Sequence, residues 1–303
     1  MGPTGVGKTN LAIELSKILN SSIISVDSVQ VYKKLDIGSG KPSKEDLKKY
    51  PHRLIDIKEP TQPYSTAQFN IDVSEEIQEI NFQQKIPLLV GGTMLYFNSF
   101  IKGLANLPSA DVFLREKLKE RAEKIGWPEM HTSLLMIDKE SALKIDKNDS
   151  QRIQRALEVY ELTGQPLSKL IRSSKPSSPN KDQLIQFAIF PESREILRQI
   201  IKERFLDMIE KGFIKEVKKL KNSEGVHRDL PSMRSVGYRQ IWEYLEKEIS
   251  EDEMIYNSIN ASRKLAKRQM TWLRSWKQLI WLPQKTSNAL QLIIKELDTK
   301  NLL

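Results

Sequence analysis

Apolar positions in the first hundred residues follow two alternating patterns. Leu11, Leu15, Ile18 and Leu19 recur at helical spacing and predict a helix starting just before residue 10. Ser22 to Val26 (SIISV) and Ile86 to Val90 (IPLLV) are short β-rich runs, the second halted by Gly91-Gly92, and both predict strands. Leu54 to Ile57 predicts a third strand. Between them, Phe69, Val73, Ile77 and Ile80 lie near one face of a helix over residues 65–82, opened by a capping pair of Ser65 and Gln68. Apolar strands alternating with helices predict a parallel sheet covered on both faces.

From about Ala105 the pattern becomes helical, with little β signal over residues 111–171. Asp149 or Ser150 can cap a helix that turns Ile153, Leu157 and Tyr160 inward. Ser173 to Lys181 (SSKPSSPNK) is polar, carries prolines and reads as a mobile connection. A strand-like run returns at Leu184 to Phe190. Helices then follow over 193–211, ended by Gly212, over 213–221, and in a long segment finishing near Trp276. The expected architecture is an α/β core made of residues 1–105 and 184–303, with a helical insertion domain over 106–183 and a helical C-terminal part.

The length, 303 residues, allows one large core or two smaller ones, and 39% hydrophobic with 29% charged content suits a soluble globular chain. No apolar run reaches the length of a membrane span and no charged-then-apolar leader precedes the first helix, so a cytoplasmic location and no membrane partner are expected. The absence of cysteine excludes disulfides, thiolate zinc sites and a cysteine nucleophile. His52, His131 and His227 lie far apart and show no metal-ligand spacing. Net charge is +9, and its distribution is local: residues 261–277 hold six basic side chains and no acid, directly after an acidic stretch from Glu246 to Glu253. That is the footprint of an anionic partner.

Gly2-Pro3-Thr4-Gly5-Val6-Gly7-Lys8-Thr9 is a complete phosphate loop, G-x-x-x-x-G-K-[ST]. Its glycines let successive backbone N–H groups face an anion, and the following helix aims its positive end at the same place. Lys8 adds a mobile charge and Thr9 a hydroxyl suited to a phosphate-bound Mg²⁺. Such a loop normally follows a buried strand. Only Met1 precedes Gly2 here, so the true start is expected upstream.

Asp27 ends the SIISV strand, at the edge where open parallel sheets place ligands. It can act as a general base or a Mg²⁺ partner, or simply shape a turn. Gly91-Gly92-Thr93 ends another strand in the same way. Gln151, Arg152, Gln154 and Arg155 stand on the polar side of a helix. Arg234 to Gln240 joins two arginines, a glycine and a tyrosine, a set fit for phosphate contact and base stacking or for an ordinary turn into a helix. On the last long helix, Arg263, Lys267 and Arg274 share one side and Leu265, Trp272 and Trp276 another, so the apolar side can dock on the core while the basic side tracks a phosphate backbone.

Together these motifs resemble the bacterial tRNA dimethylallyltransferases, also called isopentenyl-diphosphate:tRNA transferases. The resemblance runs over nearly the whole chain: GPTGVGKT at 2–9, SVDSVQVY at 25–32, LDIGSGKP at 35–42, GGTMLY at 91–96, LPSAD at 107–111, QRIQRALEVY at 151–160, LPSMRSVGYRQ at 230–240 and LAKRQMTWLR at 265–274. It implies transfer of a dimethylallyl group from dimethylallyl diphosphate to N6 of the adenosine 3′ to the anticodon in tRNA, with release of diphosphate. The phosphate loop would hold the diphosphate, with Thr9 also meeting Mg²⁺. Asp27 falls on the family's catalytic aspartate and Arg204 on its diphosphate-binding arginine. The segments matching tRNA contacts are Asp27, Ser28, Val29 and Gln30; Thr93; Arg115; Gln151, Arg152, Ile153, Gln154 and Arg155; Arg234, Ser235, Val236, Gly237, Tyr238 and Arg239; and Lys267, Arg268, Gln269, Met270, Thr271, Trp272, Leu273 and Arg274. The basic helix and the helical insertion would then hold an anticodon stem-loop from two sides. A monomer is the default expectation. Two features depart from the family pattern: the strand expected before the loop, and Gly5-Val6 where Ala-Ser is common; with no cysteine, the zinc finger of eukaryotic relatives is not expected either. The rival readings are a phosphate-loop kinase acting on a nucleoside or RNA end, and an RNA-binding ATPase switch; both need ATP.

Overall fold

The structure is a computed structural model and describes residues 1–174 and 184–300. Most of the Ser173 to Lys181 connection lies outside the described residues; Ser173 itself ends the helix Leu167–Ser173.

Three parallel strands form the first sheet: β1 (Ser21–Val26) is central, between β2 (His52–Arg53) and β3 (Ile86–Gly91). β1 and β3 run in register from Ser21 beside Ile86 to Val26 beside Gly91, so both strands end at one edge. A side chain at position 91 would meet the Val26 carbonyl at 2.0 Å, which is why glycine closes this strand. The strand expected at Leu54 to Ile57 is instead the two residues before it. Leu54 and Asp56 adopt left-handed backbone (φ 60° and 57°), a conformation that cannot continue a ladder.

A second, two-stranded parallel sheet pairs β4 (Phe187–Ile189) with β5 (Ile280–Leu282). The run read from Leu184 to Phe190 is therefore strand only in its centre. Met1 lies along β4: its ammonium donates to the Phe187 carbonyl (2.7 Å) and its carbonyl accepts from Ile189 N–H (3.0 Å). The residue before the phosphate loop thus already occupies a strand position.

Helix Lys8–Ile18 buries Leu11, Ala12 and Leu15, and Leu19 follows, against Val6, Ile201, Leu282 and Ile293. Ile18 is not part of that face; it is exposed. Helix Thr66–Phe82 is capped by Ser65, whose hydroxyl accepts from Gln68 N–H (3.1 Å). The reciprocal half of the expected pair is missing, because the Gln68 side chain reaches Asp72 (2.6 Å). Its Phe69 ring stacks on Tyr96 at 4.4 Å. Helices Arg194–Glu210, Phe213–Lys221, Tyr238–Leu245 and Glu251–Arg274 follow β4. The last opens with a complete capping box between Ser250 and Glu253.

The chain divides into two units, residues 1–100 with 180–303, and residues 101–179. In the second, helices Val112–Ile125, Trp127–Ile137 and Ser150–Thr163 surround a core of Met130, Leu134, Ile153 and Leu157, each at most 1% exposed. Asp149, not Ser150, caps the last of these helices. Tyr160 is only half-buried there.

Candidate active site

Because β1 and β3 stop together, the segments that follow them face the same cleft. It encloses about 1320 Å³, and Lys8, Thr9, Asp27, Gly92, Arg204 and Gln269 are among its lining residues.

The phosphate loop is built as its sequence demands. Gly5 and Gly7 hold φ of 87° and 86°, and Gly7 stands at the N-cap of helix Lys8–Ile18. Among the described residues, the N–H groups of Gly5 to Gly7 donate to no protein acceptor. They are available to an anion at a helix N-terminus. Lys8 Nζ donates to the Pro3 carbonyl (2.7 Å). Burial, and then the charge of Arg204, bring the Lys8 ammonium down to about 8, while Asp27 acts in the opposite sense.

Arg204, on helix Arg194–Glu210, reaches into this site and donates to Thr4 Oγ1 (3.2 Å). Its guanidinium is lowered by burial, opposed by Asp27 and Asp207. Two cations are therefore gathered beside the loop with one carboxylate near them. Repulsion between Lys8 and Arg204 favours a polyanion between them.

Of the roles weighed for Asp27, the turn is the one its hydrogen bonds display. Its Oδ1 accepts from Val29 N–H (2.8 Å) and Gln30 N–H (3.3 Å), shaping the turn after β1. Its Oδ2 accepts nothing from the described residues. Thr93 Oγ1 accepts from Ser28 N–H (3.1 Å), tying the two strand ends together. The side chain of Gln30 continues the network, accepting from Ser25 Oγ (2.9 Å) and donating to the Gly40 carbonyl (3.3 Å).

Gln269 holds a place the sequence did not suggest. It is buried, its Oε1 accepts from Thr4 N–H (2.9 Å), and its Nε2 donates to the Gly92 carbonyl (2.8 Å). One amide thus bridges the phosphate loop and the end of β3, and its side chain is not offered to RNA. On the same helix, Met270 and Leu273 are core residues, so neither side chain reaches a partner. The face docked on the core carries Ala266, Met270 and Leu273, and Trp276 packs against the cluster holding the last two as expected, whereas Leu265 is half-buried along the cleft and Trp272 is 39% exposed. The residues turned outward are Lys264, Lys267, Arg268, Thr271 and Arg274, whereas Arg263 is half-buried.

In the 234–240 segment, Arg234 and Arg239 are exposed, and Ser235, Val236 and Gly237 line the cleft. Tyr238 is fully buried and donates to Glu216 (2.7 Å), so it cannot stack on a base.

In the helical unit, Gln151 and Arg152 are exposed and Ile153 is core. Arg115 and Arg155 converge on the buried carboxylate of Glu158: Arg115 binds both oxygens (2.8 and 3.1 Å) and Arg155 one (2.6 Å). The Asp111 N–H adds a further bond to it (2.9 Å), and Gln154 Nε2 donates to the Arg115 carbonyl (2.8 Å). Burial raises the Glu158 pKa, but the arginine and backbone hydrogen bonds outweigh it and leave it below the usual value. A carboxylate lowered on folding stabilises the native state above its unfolded pKa, and that contribution is lost as pH falls through the folded value. Glu158→Ala is expected to cost about 2 kcal/mol at neutral pH, and less in acid, as read by denaturant unfolding. Equal stability at neutral pH would show the network to be dispensable.

Glu158 and Glu216 were absent from the sequence reading. Each is an acid on an amphipathic helix, indistinguishable in the sequence from a solvated one.

Among the described residues no group of three or more acidic, histidine or cysteine side chains could hold a metal ion. Thr9 and Asp27 both line the cleft, and a hydroxyl and a carboxylate are donor types that suit Mg²⁺ where most of its ligands are phosphate oxygens and water. No helix of the described residues is long and apolar enough to cross a membrane.

The model of the family described as IPP transferase matches residues 30–276. The fold is similar to that of a full-length tRNA isopentenylpyrophosphate transferase from Bacillus halodurans, with 34% identity, 99% of this chain and 96% of that one covered, and a TM-score of 0.70. It is similar also to a tRNA delta(2)-isopentenylpyrophosphate transferase from Staphylococcus epidermidis, at 30% identity, 99% and 97% coverage and a TM-score of 0.69. A eukaryotic dimethylallyltransferase acting on tRNA matches at 26% identity, over 99% of this chain and 78% of its own, with a TM-score of 0.80.

Proposed function

The chain belongs to the IPP transferase family, and from that premise we propose that it transfers a dimethylallyl group from dimethylallyl diphosphate to N6 of the adenosine 3′ to the anticodon in tRNA. The observation that carries this reading is one cleft in which a phosphate loop, Lys8 and Arg204 stand opposite the open Oδ2 of Asp27. Anion binding and proton acceptance are thereby brought to one place.

The chemistry asks for three things. The N6 lone pair is delocalised into the adenine ring and attacks weakly, so the electrophile must be strong. The allylic carbon meets that need, because positive charge spreads over the allyl system as its bond to the diphosphate oxygen breaks. The loop N–H groups, Lys8 and Arg204 stabilise the departing diphosphate. As the N6–carbon bond forms, Asp27 Oδ2 accepts the amine proton. Ile37, Ile201 and Phe205 line the same cleft and offer the allyl group apolar surface that excludes water. Mg²⁺, held by Thr9 with Asp27 near, would supply Lewis-acid neutralisation of diphosphate charge. The adenosine must leave its stack to reach Asp27.

For RNA, the exposed cations in the matching segments are Lys267, Arg268 and Arg274 on the long helix, Arg234 and Arg239 before and within the helix Tyr238–Leu245, and Arg152 on the helical unit, where the neutral amide of Gln151 is exposed beside it. Charge reversal of Lys267 and Arg268 together is expected to weaken binding of an anticodon stem-loop and flatten its log–log salt dependence by about 1 to 2. Unchanged binding would make that face merely solvated.

The test of the reaction is transfer of labelled dimethylallyl from its diphosphate to an unmodified anticodon stem-loop, with Mg²⁺ and without ATP. Product on the adenosine 3′ to the anticodon is expected. ATP turnover with no prenylated product would overturn the reading in favour of a kinase or ATPase. We infer further that the protein acts as a monomer in the cytoplasm, a reading supported by a cleft whose phosphate loop, Asp27 and Arg204 come from one chain and by the absence, among the described residues, of a helix long and apolar enough to cross a membrane.

A further inference from the structure

Glu216 makes an unusual set of hydrogen bonds. It lies in the first turn of helix Phe213–Lys221, and its carboxylate accepts from three consecutive backbone N–H groups, Asp36 (3.1 Å), Ile37 (2.7 Å) and Gly38 (3.2 Å). A fourth bond comes from the Tyr238 hydroxyl (2.7 Å). Burial, and then the Glu216 charge, hold the Tyr238 phenol well above its ordinary value, so it remains a donor. One side chain thereby fixes a loop about 180 residues away in sequence.

That loop bears on the site. Gly38 packs so closely on the Phe213 ring that a Cβ there would lie 2.0 Å from it. Two residues on, Gly40 adopts a φ of 63° and faces the Arg204 guanidinium; a Cβ at Gly40 would sit 1.8 Å from Nη2. The Gly40 carbonyl accepts from Gln30, which belongs to the turn shaped by Asp27. The loop is therefore the wall against which Arg204 rests, and it also touches the Asp27 turn. A long arginine side chain carries about 2 kcal/mol of rotamer freedom, so a wall that limits it preorganises the cation.

We propose that Glu216 is a positioning residue for diphosphate binding: by anchoring residues 36–38 it sets Gly40 as the backstop that keeps Arg204 over the phosphate loop. The inference rests on the diphosphate reading of Lys8 and Arg204 given above. It differs from a purely structural role in one respect, since the effect must pass through Arg204.

The experiment measures inorganic diphosphate binding by calorimetry with Mg²⁺ in the full chain, and stem-loop binding in parallel. Glu216→Gln replaces an acceptor-only group by one that presents N–H donors to other N–H groups. It is expected to weaken diphosphate binding about tenfold, with stem-loop affinity within about twofold of the wild type. In an Arg204→Ala background the same substitution is expected to add no more than about twofold. If E216Q does not fold, Tyr238→Phe, which removes one of the four bonds, is expected to weaken diphosphate binding about threefold, again only when Arg204 is present. Losses that multiply with R204A, or diphosphate binding unchanged in the folded variant, would overturn the proposal while leaving the diphosphate reading intact. A wild-type chain that binds no diphosphate would overturn both.

Discussion

Asp27→Ala is expected to lower the turnover of dimethylallyl transfer by about 10²-fold or more, with stem-loop affinity nearly unchanged. The magnitude is that of a general base. The structure complicates the reading of this variant, because the same side chain holds the turn through Val29 and Gln30 N–H. Asp27→Asn separates the two roles. An asparagine carbonyl can accept both backbone bonds, yet it cannot take up the N6 proton at neutral pH. Both variants should therefore lose turnover to a similar extent. If Asn retains most of the activity while Ala does not, Asp27 is a turn residue and the proton goes elsewhere. Single-turnover kinetics at saturating substrate would make the comparison free of binding effects.

Lys8→Ala should lower kcat/KM by about 10²-fold, since it removes a cation from the oxygens that gain charge as the allyl bond breaks. A second signature belongs to the same residue. With its ammonium brought down to about 8, Lys8 loses its proton in the alkaline range that a free lysine would survive. The protonated form binds the anion, so affinity is complete below about 8 and falls as pH rises through that value. The terminal phosphate of an alkyl diphosphate has already ionised by then, its last pKa being near 6 as for other phosphate esters, and cannot supply the same limb. The wild-type kcat/KM is thus expected to fall above pH 8, and K8A to show no such fall. A wild-type profile flat from pH 7 to 9.5 would exclude the depressed lysine.

The α/β order of the first hundred residues, the phosphate loop and the placement of Asp27 at a strand end were all legible in the chain itself. Their causes are local. Glycines at 5 and 7 dictate a left-handed backbone, helical spacing from Leu11 to Leu19 dictates a helix, and β-rich runs halted by glycine dictate strands. Motif order along the chain also sufficed to suggest the family. Where local signals compete, the reading slipped by a few residues. The second strand moved to His52–Arg53 because left-handed Leu54 and Asp56 end it, and left-handed residues at such positions leave no trace in hydrophobic pattern.

Direction within a helix was the larger loss. Periodicity distinguishes faces but does not say which face meets the core when both carry large side chains. The long basic helix therefore docks through Ala266, Met270 and Leu273, leaving Trp272 outside and turning Gln269 into the site. Tyr238 went inward for the same reason, although its motif looked ready for RNA; Ile153 is core as its helical spacing predicted, which removes its side chain from the contacts the family resemblance implied. Only the tertiary structure could pair Glu158 with Arg115 and Arg155, or Glu216 with residues 36–38. An acid on a helix is the same letter whether water or a backbone loop from the far end of the chain satisfies it. The sequence by itself determined which chemistry the chain carries; the packing of distant helices decided which charges are spent inside the protein and which remain for a substrate.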